Sequence, residues 1–271
     1  MTHQTIGGVT KTVCTLLGLE DGTAPLEDSF APVVAKARSL RIDKCDRVLL
    51  YAPDAIGLHL CEAFPDIIRP VAQEASIVVR MKSVVPPVTP VCFSTMFTGQ
   101  PPAAHGIRHY EKPVLGCETL FDRLVSAGKR VAIVAVQNSS IDRLFRERAV
   151  DYFSERYDPE VTETTLRLVK ANEHDFILAY HQEYDDILHR TTPRSEEAIE
   201  AMRRHVAAFV QLTQAAAQWW GSHHRVLGFV PDHGGHIDPD TGKGTHGKNI
   251  AEDMDVQHFY GVFSGTNRRR R

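Results

Sequence analysis

The sequence predicts a three-layer α/β/α fold in which helices cover both faces of a largely parallel sheet. Short apolar runs rich in β-branched residues recur along the chain, and longer segments with helical periodicity lie between them. Such alternation is typical of parallel sheets, because each crossover places a helix on a face of the sheet. The chain has no internal repeat and no low-complexity linker, so we interpret residues 1–271 as one catalytic domain.

Six apolar runs are predicted as strands and three periodic segments as helices. The strands are residues 47–52, 76–81, 130–136, 176–180, 226–230 and 259–263. The helices are residues 120–127, 159–172 and 195–219, of which the last is long and amphipathic. Residues 1–45 have the weakest pattern and are interpreted as an N-terminal extension of the same domain. Residues 264–271 end in four arginines and are interpreted as a basic, frayed tail.

Charge and cysteine content exclude several classes of protein. The 31 Lys and Arg residues nearly balance the 34 Asp and Glu residues, and the net charge of −3 gives no basic field for nucleic acid or anionic membranes. We identify no signal peptide, and no apolar run is long enough to span a bilayer. The five scattered cysteines contain no CxxC pair, which indicates reduced thiols. These features predict a soluble, cytoplasmic protein without a specific nucleic-acid partner.

Acids and histidines follow three of the predicted strands, at the sheet edge where parallel folds bind ligands. PD follows the first strand, HQEYDDILH the fourth and PDHGGH the fifth, with GTHG shortly beyond. The side chains concerned are Asp54, Asp185, His189, Asp232, His233 and His246. Each alone could be a turn or capping residue, and Asp185 and His189 could form a local hydrogen bond within a helical turn. Their concentration at one edge favours a functional site.

Six oxygen and nitrogen ligands of this kind suit two divalent ions, because carboxylate and neutral imidazole both bind zinc and the set contains no thiolate. Two ions about 4 Å apart would clamp an in-line displacement at phosphorus by stabilising the attacking and the leaving oxygen. Such a reaction needs a nucleophile. Residues 84–107, VVPPVTPVCFSTMFTGQPPAAHGI, contain hydroxyl groups that could provide it.

Five motifs occur in an order that resembles the alkaline phosphatase superfamily. They are PDAIG, VTPVCFSTMFTGQPPAAHGI, DDILH followed by TPRSEE, PDHGGH and GTHG, and the similarity runs over about residues 48–263. The order is most similar to the type I phosphodiesterase and nucleotide pyrophosphatase branch. The resemblance implies an alkaline-phosphatase-like core, and the short spans between motifs leave no room for a large cap domain.

The resemblance also implies roles for individual residues. One metal ion would be held by Asp54, Asp232 and His233, and the other by Asp185, His189 and His246. Zinc is the first expectation for both ions, with manganese or iron as alternatives. The nucleophile of that branch is a Thr or Ser nine residues before the Thr of a TG pair. Counted back from Thr98, this residue is Thr89, which would also contact a metal ion.

The local sequence supports Thr89 independently of the resemblance. Thr followed by Pro90 is typical of an N-cap and a first helical residue, with VCFSTMF continuing the helix. The amino terminus of a helix presents free N–H groups and partial positive charge, which suit a phosphate. A metal ion at the hydroxyl would make the alkoxide accessible near neutral pH. The alternative is that Thr89 only caps the helix.

Two further residues are candidates for contact with substrate. The family commonly has an Asn three residues after the nucleophile, but here that position is Cys92, a poor hydrogen-bond donor. The backbone N–H groups of Val91 and Cys92 could take over its role, and a buried structural cysteine is the alternative. His236 in PDHGGH lies close to the ligand motif and could contact substrate or a metal ligand, or it could be a solvent-exposed loop residue.

The resulting hypothesis is a metal-dependent hydrolase of phosphate esters. It would act as a phosphodiesterase or nucleotide pyrophosphatase on a small phosphate ester or nucleotide, through a covalent phosphothreonine at Thr89. A phosphomonoesterase or a phosphonate hydrolase would use the same metal core. An alternative of a different class is a catalytically silent, metal-binding interaction protein. The presence of all six candidate ligands and of Thr89 argues against that alternative.

Overall fold

The computed structural model describes residues 4–19 and 28–266. Its main feature is a seven-stranded sheet with the strand order β2-β9-β6-β1-β5-β3-β4. These strands are β1 (Arg47–Pro53), β2 (Ile77–Lys82), β3 (Val131–Val136), β4 (Asp151–Glu155), β5 (Phe176–His181), β6 (Arg225–Phe229) and β9 (Asp255–Phe263). A separate two-stranded ribbon joins β7 (His236–Ile237) to β8 (Gly244–Thr245).

The sheet is largely parallel, as predicted. β1 pairs in parallel with β5 and β6, and β3 pairs in parallel with β4 and β5. The last strand, β9, is the exception, because it runs antiparallel to both β6 and β2. The carboxyl ends of β1, β5 and β6 therefore meet at one edge of the sheet, in three neighbouring positions.

Twelve helices flank the sheet in the described part of the chain. They are α1 (Gly8–Leu16), α2 (Ala31–Ser39), α3 (Leu58–Ala63), α4 (Pro65–Glu74), α5 (Thr89–Thr98), α6 (Pro102–His105), α7 (Leu120–Ser126), α8 (Ser140–Leu144), α9 (Asp158–Ala171), α10 (Glu183–Arg190), α11 (Glu196–Trp219) and α12 (Ala251–Met254). α11 is the longest, as its amphipathic sequence predicts. Within residues 4–19 and 28–266, no helix combines the length and apolarity needed to cross a membrane.

Two apolar cores lie on opposite faces of the sheet. Alternate residues of β1 point to opposite faces, so that Val48 and Leu50 join one core, and Leu49 and Tyr51 join the other. Helices α1, α2, α5 and α7 cover the first face, and α4, α9 and α11 cover the second. Each wholly buried Leu or Val contributes about 1.5–3 kcal/mol relative to exposure. The predicted three-layer α/β/α architecture is confirmed.

The chain termini and one strand differ from the sequence-based picture. The weakly patterned first 45 residues contain α1 and α2, which bury Val9 and Val33 in the first core. β4 was not predicted, because three of the five residues in DYFSE are polar. β4 is nevertheless a strand because its backbone pairs with β3 at the edge of the sheet. Of the predicted frayed tail at residues 264–271, residues 267–271 lie outside the described residues. The N–H groups of Gly265 and Thr266 donate to His224 Nδ1 and to the carbonyl of Gly221, so this part of the predicted tail is bonded to the domain.

Candidate active site

The candidate site lies at the carboxyl ends of the three central strands. Asp54 follows β1, and Asp232 and His233 follow β6, its neighbour on one side. On the other side, β5 leads into α10, which carries Asp185 and His189 four residues apart on one face. The parallel order of the strands thus brings together residues that are far apart in the sequence.

Asp54, Asp232 and His233 form a fully buried first triad. The Nε2 atom of His233 lies 3.4 Å from Asp54 Oδ1 and 3.3 Å from Asp232 Oδ2. The Nδ1–H of the same ring donates to the carbonyl of Gly234 at 2.9 Å. Because this bond fixes the tautomer of the neutral ring, the lone pair of Nε2 points towards the two carboxylates. Burial, and then the charge of His246, lowers the pKa of His233 to about 3, so the ring is neutral.

Asp185, His189 and His246 form a second triad. The Nε2 atoms of His189 and His246 are 3.1 Å apart, and each lies 3.4 Å from Asp185 Oδ1. The Nδ1–H of His246 donates to the carbonyl of Pro87 at 3.1 Å, which aims Nε2 at the carboxylate. The carboxylate of Asp185 raises the pKa of His189, and it raises the pKa of His246 although burial opposes this. Positive charge is therefore favoured between these three groups.

Thr89 lies against the first triad, and the two triads are in contact. Its Oγ1 is 3.2 Å from Asp54 Oδ2 and 3.4 Å from His233 Nε2, and the residue is 3% exposed. The rings of His233 and His246 pack with their centroids 4.1 Å apart. The structure thus brings all six predicted ligand residues and the predicted nucleophile into one cluster.

The three carboxylates of the triads differ in their acidity. Burial, and then the charge of Asp185, raises the pKa of Asp54 to about 7. Burial, and then the charge of Asp54, raises the pKa of Asp232 well above its ordinary value. Burial would also raise the pKa of Asp185, but the neighbouring His189 and His246 rings lower it below its ordinary value. When ionised, the three carboxylates place negative charges close together in the site, and a bound cation would neutralise these charges.

The donor set fits divalent metal ions. One buried carboxylate oxygen in each triad, Asp232 Oδ2 and Asp185 Oδ1, has no hydrogen-bond partner among the described residues. Buried acceptors of this kind cost about 1–3 kcal/mol unless something pairs with them. In each triad they lie beside imidazole nitrogens, and the ligand atoms of each group lie within 4.8 Å of one another. Carboxylate oxygen and imidazole nitrogen suit zinc and other first-row ions.

The start of α5 corrects two expectations. Val88, with extended backbone angles, is the N-cap, and Thr89 is the first helical residue, without a capping hydrogen bond. The Thr89 hydroxyl is therefore not used to hold the helix. The N–H groups of Val91 and Cys92 both donate to the carbonyl of Val88 at 3.0 Å, so they are not free to bind substrate as predicted. Among the described residues, the N–H of Thr89 itself has no acceptor.

The two predicted substrate contacts lie away from the Thr89 hydroxyl. Cys92 is wholly buried, and its thiol contacts the hydroxyl of Ser83 at 3.1 Å. Burial, followed by the charge of Asp232, raises the pKa of this thiol well above its ordinary value. The Nδ1 atom of His236 donates to Asp253 Oδ1 at 2.7 Å, and the ring lines a separate cavity. Neither side chain lines the cleft at Thr89.

A polar cleft of about 150 Å³ opens beside Thr89. Its lining includes residues that sequence reasoning missed, from the loops after β3 and β5 and from the segment after α6: Lys112, Gln137, Asn138, Ser139, Ser140, Tyr180, Gln182 and Asp186. Tyr180 donates to Asp54 Oδ2 and so holds that carboxylate. Its place at the end of a predicted strand was the one available signal. Tyr110 also lines the cleft.

A third buried cluster, Asp158, His181 and His205, lies beneath α10. Its polar atoms are linked in a chain. The Tyr184 N–H donates to His205 Nε2 at 3.1 Å, and His205 Nδ1–H donates to Tyr51 Oη at 2.8 Å. Tyr51 in turn donates to His181 Nδ1 at 3.1 Å. Burial lowers the pKa of both histidines, that of His205 to about 3. Because the ring nitrogens facing one another are already bonded, this cluster is a hydrogen-bond network and lacks the open lone pairs of the two triads.

Comparison with known proteins places the chain in a family. The model of the family described as type I phosphodiesterase / nucleotide pyrophosphatase matches residues 66–258. The match contains Thr89 and every candidate ligand except Asp54, which precedes it. No curated protein sequence matches the chain.

A solved structure also resembles this fold. Phosphonoacetate hydrolase from Sinorhizobium meliloti 1021, in complex with phosphonoformate, matches with a TM-score of 0.56 and 17% sequence identity. The match covers 73% of this chain and 59% of that chain. At this identity the likeness concerns the fold alone. The predicted resemblance to the type I phosphodiesterase and nucleotide pyrophosphatase branch is confirmed by the family match, and the solved structure, of which less than two thirds is matched, supports the predicted fold. The chain belongs to the type I phosphodiesterase/nucleotide pyrophosphatase family.

Proposed function

We propose that the protein hydrolyses a phosphodiester or pyrophosphate bond, with Thr89 as nucleophile and two divalent cations, preferably zinc, as cofactors. The observation that carries the proposal is the convergence of two ligand triads on one threonine hydroxyl. Thr89 Oγ1 lies 3.2 Å from Asp54 and 3.4 Å from His233, and the second triad packs directly against His233. A structural threonine would not need to lie beside two members of a cluster of six ionisable side chains, in the lining of a polar cleft.

Each triad would hold one ion. Asp54, Asp232 and His233 would bind the first, and Asp185, His189 and His246 the second, with Thr89 beside the first. When bound, the two ions would supply Lewis acidity for an in-line displacement at phosphorus. Tyr180 supports the first site because it donates to Asp54, and the carbonyls of Gly234 and Pro87 fix the tautomers of two histidines.

The chain's own residues position the nucleophile for the first step. The Thr89 hydroxyl donates its proton towards Asp54, and the residue lines the cleft. In the step, a bond forms between Thr89 Oγ1 and phosphorus while the bond from phosphorus to the leaving oxygen breaks. The proton of Oγ1 is released, and the leaving oxygen takes a proton from solvent. The free N–H of Thr89 at the start of α5 can donate to a phosphoryl oxygen.

The second step releases the product. Water attacks the phosphorus of the phosphothreonine, the bond from phosphorus to Oγ1 breaks, and Thr89 recovers its proton. Lys112, whose Nζ lies 5.2 Å from the centroid of the Tyr110 ring, gives the lining of the cleft a cation. A cleft of only about 150 Å³ suits a small substrate.

The test compares wild type with Thr89→Ala in zinc or manganese, on bis- and mono-nitrophenyl phosphate. We expect wild type to hydrolyse the diester, and Thr89→Ala to lose on the order of 10³-fold or more in kcat. Thr89→Ser is the matched variant, because it keeps the hydroxyl and should retain part of the activity. Rapid quenching should trap a phosphoryl adduct on residue 89 in wild type and in Thr89→Ser, but not in Thr89→Ala.

Three other outcomes would each change the assignment. Faster hydrolysis of the monoester would assign a phosphomonoesterase, and cleavage of phosphonoacetate without cleavage of the diester would assign a phosphonate hydrolase. If wild type binds the metal but is no faster than Thr89→Ala on all three substrates, the catalytically silent alternative is correct.

A further inference from the structure

Arg225 is a buried cation for which the described residues provide no anionic partner. It begins β6 at the amino edge of the sheet, the edge opposite the candidate active site, and is 8% exposed. Its Nε atom is buried and has no hydrogen-bond partner, and no carboxylate lies within ion-pair distance of its guanidinium among the described residues. Its one close polarisable neighbour there is the Phe263 ring, whose centroid lies 4.8 Å from Cζ. Burial lowers the pKa of Arg225, which reflects the cost of removing its charge from water.

The neighbouring strand β1 begins with an arginine whose guanidinium is paired, which provides a comparison for Arg225. Arg47 begins β1 and is the register partner of Arg225. It pairs with Asp175 at 3.2 Å and donates to the side chain of Asn172 at 2.9 Å. Buried arginines are retained where they are paired, because an unpaired buried charge is expensive. Arg225 is therefore an exception that calls for an anion from outside the chain.

The guanidinium opens onto a cavity. The cavity has a volume of about 390 Å³, and its walls come from α2, the end of α4, β2 and the end of β9. Glu74, at the end of α4, is the one acid among the described lining residues, and it forms no ion pair with Arg225 or Lys36. The two Nη atoms of Arg225 are not enclosed in the way Nε is, so they are available to a ligand in it. Lys36 adds a second cation at the wall, and within residues 4–19 and 28–266 it too has no ion-pair partner. Leu40, Ile77 and Phe263 add apolar surface.

We propose that this cavity is a binding site for a small organic oxyanion, held by the guanidinium of Arg225. A planar guanidinium with two open Nη atoms binds carboxylate or phosphate oxygens in a bidentate manner. The cavity is larger than an inorganic anion needs, and its apolar wall would contact the body of an organic one. The site lies at the far end of β6 from Asp232, about 20 Å away along the chain at about 3.3 Å per extended residue. It is independent of the hydrolysis proposed above.

The first test observes Arg225 in the unmodified protein. The Nε–H signal of Arg225 is followed by NMR during titration with benzoate, phenylphosphonate and the neutral analogue benzamide. We expect the signal to shift in a saturable way with the anions and not with benzamide. Tighter binding of benzoate would assign a carboxylate as the natural group, and tighter binding of phenylphosphonate would assign a phosphoryl group. Absence of any shift with both anions at millimolar concentration would overturn the proposal.

The second test separates a binding role from a structural one. In buffer without these anions, Arg225→Met should not lower the urea midpoint, because it removes an unpaired buried charge. Benzoate should raise the midpoint of wild type but not that of Arg225→Met. Arg225→Lys keeps the charge but not the bidentate geometry, and should weaken binding about tenfold. Arg47→Met is the matched control, and it should lower the midpoint because it breaks a formed ion pair. If Arg225→Met lowered the urea midpoint of unfolding as much as Arg47→Met does, the result would contradict the proposal.

Discussion

The histidine rings of the two triads determine what the candidate site can bind. His233 and His246 each use Nδ1 to donate to a backbone carbonyl, which leaves Nε2 as an acceptor facing a carboxylate. Two acceptors that face each other across 3.3–3.4 Å gain nothing without a cation or a proton between them. This arrangement is the reason to expect metal ions at these residues, and it depends on two hydrogen bonds that no sequence motif records.

Removal of one ligand should remove one ion. We expect His246→Gln to bind one equivalent of zinc with the affinity of wild type and to lose the second, because Asp185 and His189 alone leave the second site open. The measurement is a calorimetric zinc titration beside determination of bound metal after dialysis. His59→Gln, a histidine outside both triads, should keep two equivalents. Loss of both ions, or of neither, in His246→Gln would contradict the division into two triads.

At the scale of the element, α10 is held at its amino terminus by the buried network. Three successive N–H groups are satisfied there. Those of Gln182 and Glu183 donate to the two oxygens of Asp158 at 3.0 Å, and that of Tyr184 donates to His205 at 3.1 Å. The next residue along is the candidate ligand Asp185. The network thus fixes the start of the helix that carries two of the three residues of the second triad.

Breaking this network should affect the second triad more than the first. Tyr51→Phe removes the hydroxyl that joins His205 to His181 and leaves two buried ring nitrogens without a partner. We expect the free energy of unfolding to fall by about 1–3 kcal/mol. We also expect the zinc affinity of the second triad to fall more than the zinc affinity of the first triad. Tyr260→Phe is the control, because it removes a hydroxyl from the buried ring of His258 but lies outside this network. A metal-binding profile identical for the two variants would show that the network does not position α10.

Asp158 also predicts a dependence of stability on pH. Burial raises its pKa from 3.8 to about 7, although the N–H groups of Gln182 and Glu183 lower it. An acid with a raised pKa in the folded state contributes stability below its unfolded pKa and loses that contribution as the pH rises through the folded value. The stability difference between wild type and Asp158→Asn should therefore move against wild type between about pH 4 and pH 7. Urea unfolding at acidic, intermediate and mildly alkaline pH measures it, and a difference that moves in favour of wild type would contradict the assigned shift.

At the scale of the whole molecule, the parallel order of the sheet made much of the site predictable from the sequence. β1, β5 and β6 are apolar, β-branched runs, and a sheet of such strands brings their carboxyl ends to one edge. The residues directly after these runs could therefore be grouped into one site from the sequence. The segments that follow these strands identified all six candidate ligands, including Asp185, His189 and His246, whereas the division into triads and the choice of Thr89 depended on the family resemblance.

The remaining features depend on tertiary contacts that leave little trace in a local pattern. β4 is polar and becomes a strand only through its pairing with β3. Val88 occupies the N-cap position that was predicted for Thr89, because Val88 adopts extended backbone angles directly before the helix. The cleft residues Lys112 and Asn138 come from separate loops, and Arg225 differs from Arg47 only in what surrounds it. None of these facts follows from composition or periodicity.

The most direct test of the two-metal site is a crystal structure of the zinc-loaded protein with anomalous diffraction measured at the zinc edge. We expect two peaks, one among Asp54, Asp232 and His233 and one among Asp185, His189 and His246, about 4 Å apart with Thr89 Oγ1 beside the first. A single peak or no peak at these triads, or zinc bound among Asp158, His181 and His205 instead, would contradict the proposed site.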